Sequence, residues 1–326
     1  MGHDLMPLFD IPALLTKEIS LDTRLLPKQL ADYSIRVYKE GLYTKTRAIL
    51  TYKDCLNQGT YGVIMRGIRD GLPVAVKISK DTGHSLCEEA LVQHVAYCSL
   101  EAAGIHGAVS RVLDIFDCAG ATRFSMEEIH GVSALQYFME ANDPVEAWYS
   151  LLAQIAFILA FLEENLRLDH RDLKATNLWI KKEDISYKTK IGGSQWHIKG
   201  KCQVVLLDFG FACIGGENGF AAVSVAHDIF PKLDPCPKKG RDMFQFIISM
   251  WSLKEVRDKL PAHVHSWVEK LLKYKSISYS DVSQKVKHSG WSYLVVSDSA
   301  FHHPSMHPLS LLRQLSGLCP SLVSLY

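Results

Sequence analysis

Two polar segments set directly against apolar runs constrain this chain more than anything else in it. The first is His170-Arg171-Asp172-Leu173-Lys174-Ala175-Thr176-Asn177. The second, Asp208-Phe209-Gly210, follows the apolar run Val204 to Leu207, which reads as a buried strand. Together they supply carboxylates, a cation and oxygen-bearing side chains suited to a divalent metal ion. Phosphoryl transfer asks for that set of groups, because its catalysis rests on positioning and preorganised charge.

H-R-D-L-K-x-x-N resembles the catalytic loop of eukaryotic-type protein kinases, and D-F-G resembles their metal-binding turn. An H-R-D triplet alone would carry little weight; the whole run, with a strand-borne D-F-G, is specific. The resemblance spans roughly residues 50 to 255 and implies an α+β, two-lobed fold. The small lobe, 49–128, would hold an antiparallel five-stranded sheet and one helix, and the large lobe, 129–326, would be mainly helical. Residues 1–48, with Pro7, Pro12 and Pro27 punctuating short helical patterns, would be an extension packed on the small lobe.

The chain upstream of the catalytic loop follows that order. From Arg47 it reads as strands: AILTYKDCL, VIMRGI and VAVKIS, then VSRVLDIFDC and TRFSMEEI. The turn Asn57-Gln58-Gly59-Thr60-Tyr61-Gly62 resembles the kinase glycine-rich loop, with Asn57 in place of the first glycine. Gly59 and Gly62 would let backbone amides approach phosphates without a Cβ in the way. Lys77, in Val74-Ala75-Val76-Lys77, matches the strand lysine that holds the α- and β-phosphates. Of the two acids opening the helical segment Cys87–Val95, Glu88 has apolar residues three, four and seven positions on, so Glu88 is expected to pair with Lys77.

The resemblance also assigns the remaining site residues. Asp172 would accept the proton of the attacking hydroxyl, Lys174 would lie by the γ-phosphate, and Asn177 and Asp208 would bind Mg2+. Ile64, Ala75 and the hinge residues Met126, Glu127, Glu128 and Ile129 would surround the adenine of ATP. Trp179 stands where a leucine-sized aliphatic usually floors that pocket. Asp242 looks like the helix-start aspartate that binds the catalytic-loop backbone. Lys174 resembles serine/threonine rather than tyrosine kinases, and Phe211, the bulky residue after D-F-G, goes with serine as the acceptor.

The approach Asn165 to Asp172, a long insertion at 181–203 and the absence of an A-P-E triplet are similar to haspin-like kinases and to divergent kinases of large DNA viruses. Between Phe211 and Gly240 the only hydroxyl is Ser224, so order in that segment is expected from packing of Phe220, Val223, Val225 and Phe230, or from Glu217, Asp228 or Asp234 standing near Arg171 in place of a phosphate. Two other classes share parts of the pattern: a pseudokinase scaffold and a small-molecule kinase of the aminoglycoside or choline type.

Composition fits a single enzyme of this size. With 326 residues and 48% hydrophobic content the chain can bury a full core, and a net charge of +1 gives no global reason to expect nucleic acid or a membrane surface as partner. A protein substrate bearing serine or threonine is the expected partner, and the chain is expected to be a monomer. Eight cysteines without a CxxC pair read as free thiols in a reducing compartment, cytoplasmic or nuclear. The uncharged run Ala147 to Leu162 is shorter than the roughly 20 residues a bilayer needs, and it reads as a buried helix. His302, His303 and His307 lie close together without the cysteine or carboxylate that would complete a metal site.

Overall fold

The computed structural model describes residues 33–40, 42–58, 62–80, 86–118, 121–226, 229–230, 233–275, 298 and 300–326. Among them the protein is a mixed α+β molecule with seven α-helices. Its main sheet is antiparallel throughout, in the order β1-β2-β3-β4-β6-β5: Tyr33–Glu40 (β1), Leu42–Gln58 (β2), Gly62–Arg69 (β3), Leu72–Ser79 (β4), Val112–Cys118 (β5) and Ala121–Glu127 (β6). The five strands expected from sequence are all present. The sixth, β1, corrects the reading of 1–48 as an extension of helical pattern: residues 33–48 form a hairpin that continues the sheet. The prolines that suggested otherwise precede it, outside the described residues, whereas YSIRVYKE carries the two-residue alternation of a strand.

That alternation gives the sheet two faces. Val74 and Val76 of β4 pack with Leu50 and Phe116 on one side. Ala75 and Lys77 turn to the other. On the helix side, Leu86, Cys87 and Ala90 meet Val112, Ile115 and Phe124, which seats helix α1 (Cys87–Ala102) against the sheet.

The larger core is built round α3 (Pro144–Leu166), which follows the short α2 (Ala134–Glu140). Asp143 caps α3 by accepting from the Val145 and Glu146 amides, each at 3.0 Å, and Pro144 occupies the first turn, where no amide is needed. Arg167, in the left-handed conformation, ends it. This is the one described helix long and apolar enough to cross a membrane, and 89% of its apolar window is buried inside the protein. Removing a ring such as that of fully buried Phe157 would cost about 3–5 kcal/mol. Helix α4 (Arg241–Trp251) is buried beside it, followed by α5 (Lys254–Asp258), α6 (Ala262–Leu271) and α7 (Pro308–Leu318).

Three small sheets hold the loops between these helices. Strands Val132–Ser133 (β7), Leu178–Lys181 (β9) and Gln203–Leu206 (β12) form one; Leu168–Asp169 (β8), Cys213–Gly215 (β13) and Ala221–Ser224 (β14) form another. The third corrects the expectation of a long loop at 181–203. Ile185–Ile191 (β10) and Ser194–Gly200 (β11) are a hairpin turned at Gly192-Gly193, and Val323–Leu325 (β15) pairs with β11. Both turn glycines have positive φ, 59° and 76°, as a tight two-residue hairpin turn requires. Buried Ile185, Tyr187, Ile191, Trp196 and Ile198 supply the strand signal that polar composition obscures.

Candidate active site

A cavity of about 1010 Å³ lies between the main sheet and the helical part, and β4, α1, the 169–179 loop and the turn after β12 all contribute to it. Lys77 reaches into it from β4, nearly buried, with its Nζ 2.5 Å from a Glu89 carboxylate oxygen and 2.7 Å from Asp208. Burial works to lower the Lys77 pKa, but Glu89 and Asp208 outweigh it and hold it above the ordinary lysine value. Burial pushes Glu89 up to about 7, with Lys77 opposing and Asp208 adding to the rise. For Asp208, burial is overcome by Lys77, His170 and Lys174, so its pKa is lowered.

The partner of Lys77 is therefore Glu89, and the expectation of Glu88 is corrected. Helix α1 is buried on most of its circumference, so an apolar stripe identifies packing rather than pairing. Glu89 shares its stripe with Gln93, one turn on, which is also buried and donates to the Ser110 carbonyl at 2.8 Å. Polar side chains at i and i+4, Glu89 and Gln93, were the usable signal.

The residues of the loop 170–177 are drawn together by short bonds. Lys174 Nζ is 2.7 Å from Asp172, and the Asn177 amide donates to the Asp172 carbonyl at 2.9 Å and to its carboxylate at 3.1 Å. Asp242, at the start of α4, accepts from the backbone amides of His170 (2.7 Å) and Arg171 (2.8 Å). His170 lies 3.0 Å from the Leu207 carbonyl and packs on the Phe209 ring, which ties the loop to the turn bearing Asp208. Arg171 and Asp208 both sit at positive φ, 64° and 62°. Strain of that kind in non-glycine residues persists where the surroundings over-determine it, commonly at functional sites.

Of the residues expected round a nucleotide, Asn57, Gly62, Ile64, Ala75, Lys77, Met126, Glu127, Glu128, Ile129 and Trp179 line the cavity, as do Lys174, Asn177 and Asp208. Asp172 is not among the lining residues and joins the site through Lys174 and Asn177. Gly59 lies outside the described residues. A Cβ on Gly62 would stand 3.0 Å from the Ile78 carbonyl, so a side chain there would crowd β4. Sequence reasoning missed Ser110, fully buried, whose hydroxyl donates to the Glu127 carbonyl at 2.8 Å. It also missed Arg66, whose guanidinium forks onto Glu128 at 2.8–3.1 Å beside the cavity mouth.

In the segment after D-F-G, described residues are held by the chain's own side chains. Arg171 donates to Ser224 Oγ at 2.9 Å and to Asp234 at 3.2 Å, and its guanidinium lies 4.4 Å from the Phe230 ring centroid. Asp234 also receives Lys238 at 2.5 Å and Arg241 at 3.0 Å, while Arg241 pairs with Asp169. Of the three acids expected to serve, Asp234 does; Glu217 is exposed and Asp228 lies outside the described residues. Val223 and Val225 are buried, and Phe230 packs edge-on against Phe211 at 6.0 Å.

Cys213 and Cys236 form a disulfide, which corrects the reading of all eight cysteines as free thiols; Cys55, Cys118, Cys202 and Cys319 form no disulfide among the described residues. The pair is 23 residues apart and has no motif spacing. It meets because Cys236 folds back on β13, its amide bonded to the Gly219 carbonyl.

No family model matches the chain. No curated protein matches it either.

Proposed function

We propose that this chain is an ATP-dependent serine/threonine protein kinase with the two-lobed fold of that superfamily. The observation that carries the reading is the Glu89–Lys77–Asp208 chain of short contacts, set in a cavity that Lys174 and Asn177 also line. Lys77 would hold the α- and β-phosphates, kept in place by Glu89. Asp172 would accept the hydroxyl proton of the acceptor, and Lys174 would steady both Asp172 and the γ-phosphate.

The donor set suits magnesium. Asn177 uses its amide hydrogens on Asp172, which leaves its carbonyl oxygen for a hard cation, and Asp208 adds a carboxylate held ionised by Lys77. When bound, Mg2+ would neutralise phosphate charge there. Everything else rests on the chain's own groups: Phe211 and Phe230 beside the cavity would meet the acceptor residue, and the Asp242-bound loop fixes where Asp172 stands.

Matched serine and threonine peptides, offered in competition with an aminoglycoside and choline, test the substrate class. The serine peptide is expected to be labelled first. Preferential labelling of either small molecule would move the chain to the small-molecule kinases.

A further inference from the structure

The insertion hairpin β10–β11 carries charge that the rest of the chain lacks. Residues 181–203 hold six lysines against two acids, so the remainder, in a chain of net charge +1, has more acids than bases. The inward side chains Ile185, Tyr187, Ile191, Trp196 and Ile198 anchor the hairpin: Tyr187 stacks on Phe157 and donates to the His106 carbonyl at 3.0 Å. The alternate residues face outward, and Lys188, Lys190 and Lys199 are all exposed there. Strand register sets Lys188 opposite His197, and Lys199 opposite Ser186, on this one face.

None of these three lysines is held by a described carboxylate; the ion pair formed by a lysine of this insertion is that of Lys201, 3.9 Å from Glu146. His197 sits between them at 2.8 Å from Ser186 Oγ, and burial, then Lys188 and Lys199, hold its pKa below the usual value, so it adds no charge at neutral pH. Lysines on an edge strand such as β10 can serve to deter edge-to-edge pairing. Lys199 stands on the central strand of this sheet, where there is no edge to protect.

We propose that this face is a docking surface for an extended acidic peptide segment of a partner protein, separate from the cleft. Alternate residues of an extended strand are about 6.5–7 Å apart, the same spacing that separates Lys188 from Lys190, so carboxylates at every second position would meet them in register. The face favours carboxylates over nucleic acid. It has no arginine to fork onto phosphate or base edges, and Tyr326 is its one exposed aromatic, where a single strand would need a series of stacking platforms. No cavity-lining residue belongs to 181–203, so the proposal does not rest on the phosphotransfer reading.

The test is fluorescence anisotropy with a labelled peptide of alternating glutamate and serine, its glutamine counterpart, oligothymidylate and vesicles containing phosphatidylserine. Wild type should bind the glutamate peptide with an affinity that falls as salt rises. The Lys188→Glu/Lys190→Glu/Lys199→Glu variant should bind about tenfold or more weakly, since it replaces three exposed attractive contacts by repulsive ones. The same sites changed to glutamine should give a smaller loss, and Lys254→Glu/Lys270→Glu/Lys273→Glu, on α5, on α6 and just after α6, should leave binding unchanged. No binding by wild type, an equal loss in the control variant, or tighter binding of oligothymidylate or vesicles through the same three lysines would overturn the proposal.

Discussion

Arg171, the residue before Asp172, donates to the carboxylate of Asp234 at 3.2 Å, and both side chains are buried. A fixed acid thus holds this arginine and, under the proposed kinase reading, takes the place of a phosphate. Activity should therefore be unchanged by phosphatase treatment, and Ser224→Ala should cost about 1 kcal/mol of stability, one hydrogen bond. Asp234→Asn should cost about 3–5 kcal/mol, because it strands Arg171, Lys238 and Arg241 without their shared carboxylate. Specific activity and thermal melting of the three samples check this; a large loss of activity on both phosphatase treatment and Ser224→Ala would make Ser224 a conventional phospho-switch.

The Cys213–Cys236 disulfide closes a loop over the same segment. Constraining a loop of that length should be worth about 3 kcal/mol. Melting curves with and without a thiol reductant should separate by an amount that Cys213→Ser/Cys236→Ser abolishes. Coincident curves for the wild type would mean that the bridge contributes nothing.

Glu89 gives the protein a particular pH dependence. Its folded pKa, about 7, lies above the ordinary carboxylate value, so folding tightens its proton. The resulting stability is complete below about pH 4 and is lost as the pH rises through about 7, a change of about 3 kcal/mol. Wild type should lose more stability than Glu89→Gln as the pH rises from about 4 to about 8. Equal losses of unfolding free energy in the two proteins, from denaturant titrations at the two pH values, would remove Glu89 as the cause.

Trp179 lines the cleft. An indole there adds stacking worth about 0.5–1.5 kcal/mol for a planar ligand. Trp179→Leu should therefore shift the affinities of flat adenine-site inhibitors by several-fold, beyond any effect on melting temperature. An unchanged inhibitor profile would count against that role.

What the sequence made legible depended on the kind of signal. The runs VIMRGI and VAVKIS are short, rich in β-branched residues and bounded by turn residues, and the polar clusters at 170–177 and 208–210 sit beside apolar runs, so the strands and the convergence of Lys174, Asn177 and Asp208 on one cavity follow locally. Contacts between distant segments were less accessible. Glu88 and Glu89 differ only by which side of a nearly all-buried helix faces Lys77, which depends on how α1 docks. Cys213 and Cys236 meet only once the chain has folded back on β13. The hairpin at 185–200 was hidden because lysines and glycines dominate its composition while its inward face holds the apolar alternation.

The central claim is that Asp172 and Asp208 serve a transfer from ATP. The most direct measurement is the initial rate of γ-phosphate transfer from labelled ATP with Mg2+ to a serine peptide, together with nucleotide binding, for wild type, Asp172→Asn and Asp208→Asn. Wild type should transfer phosphate. Asp172→Asn should bind ATP about as well as wild type and turn over about 10²–10⁴-fold more slowly, and Asp208→Asn should lose turnover together with Mg2+-dependent nucleotide affinity. Nucleotide binding without transfer by wild type, or transfer that survives both substitutions, would contradict the account.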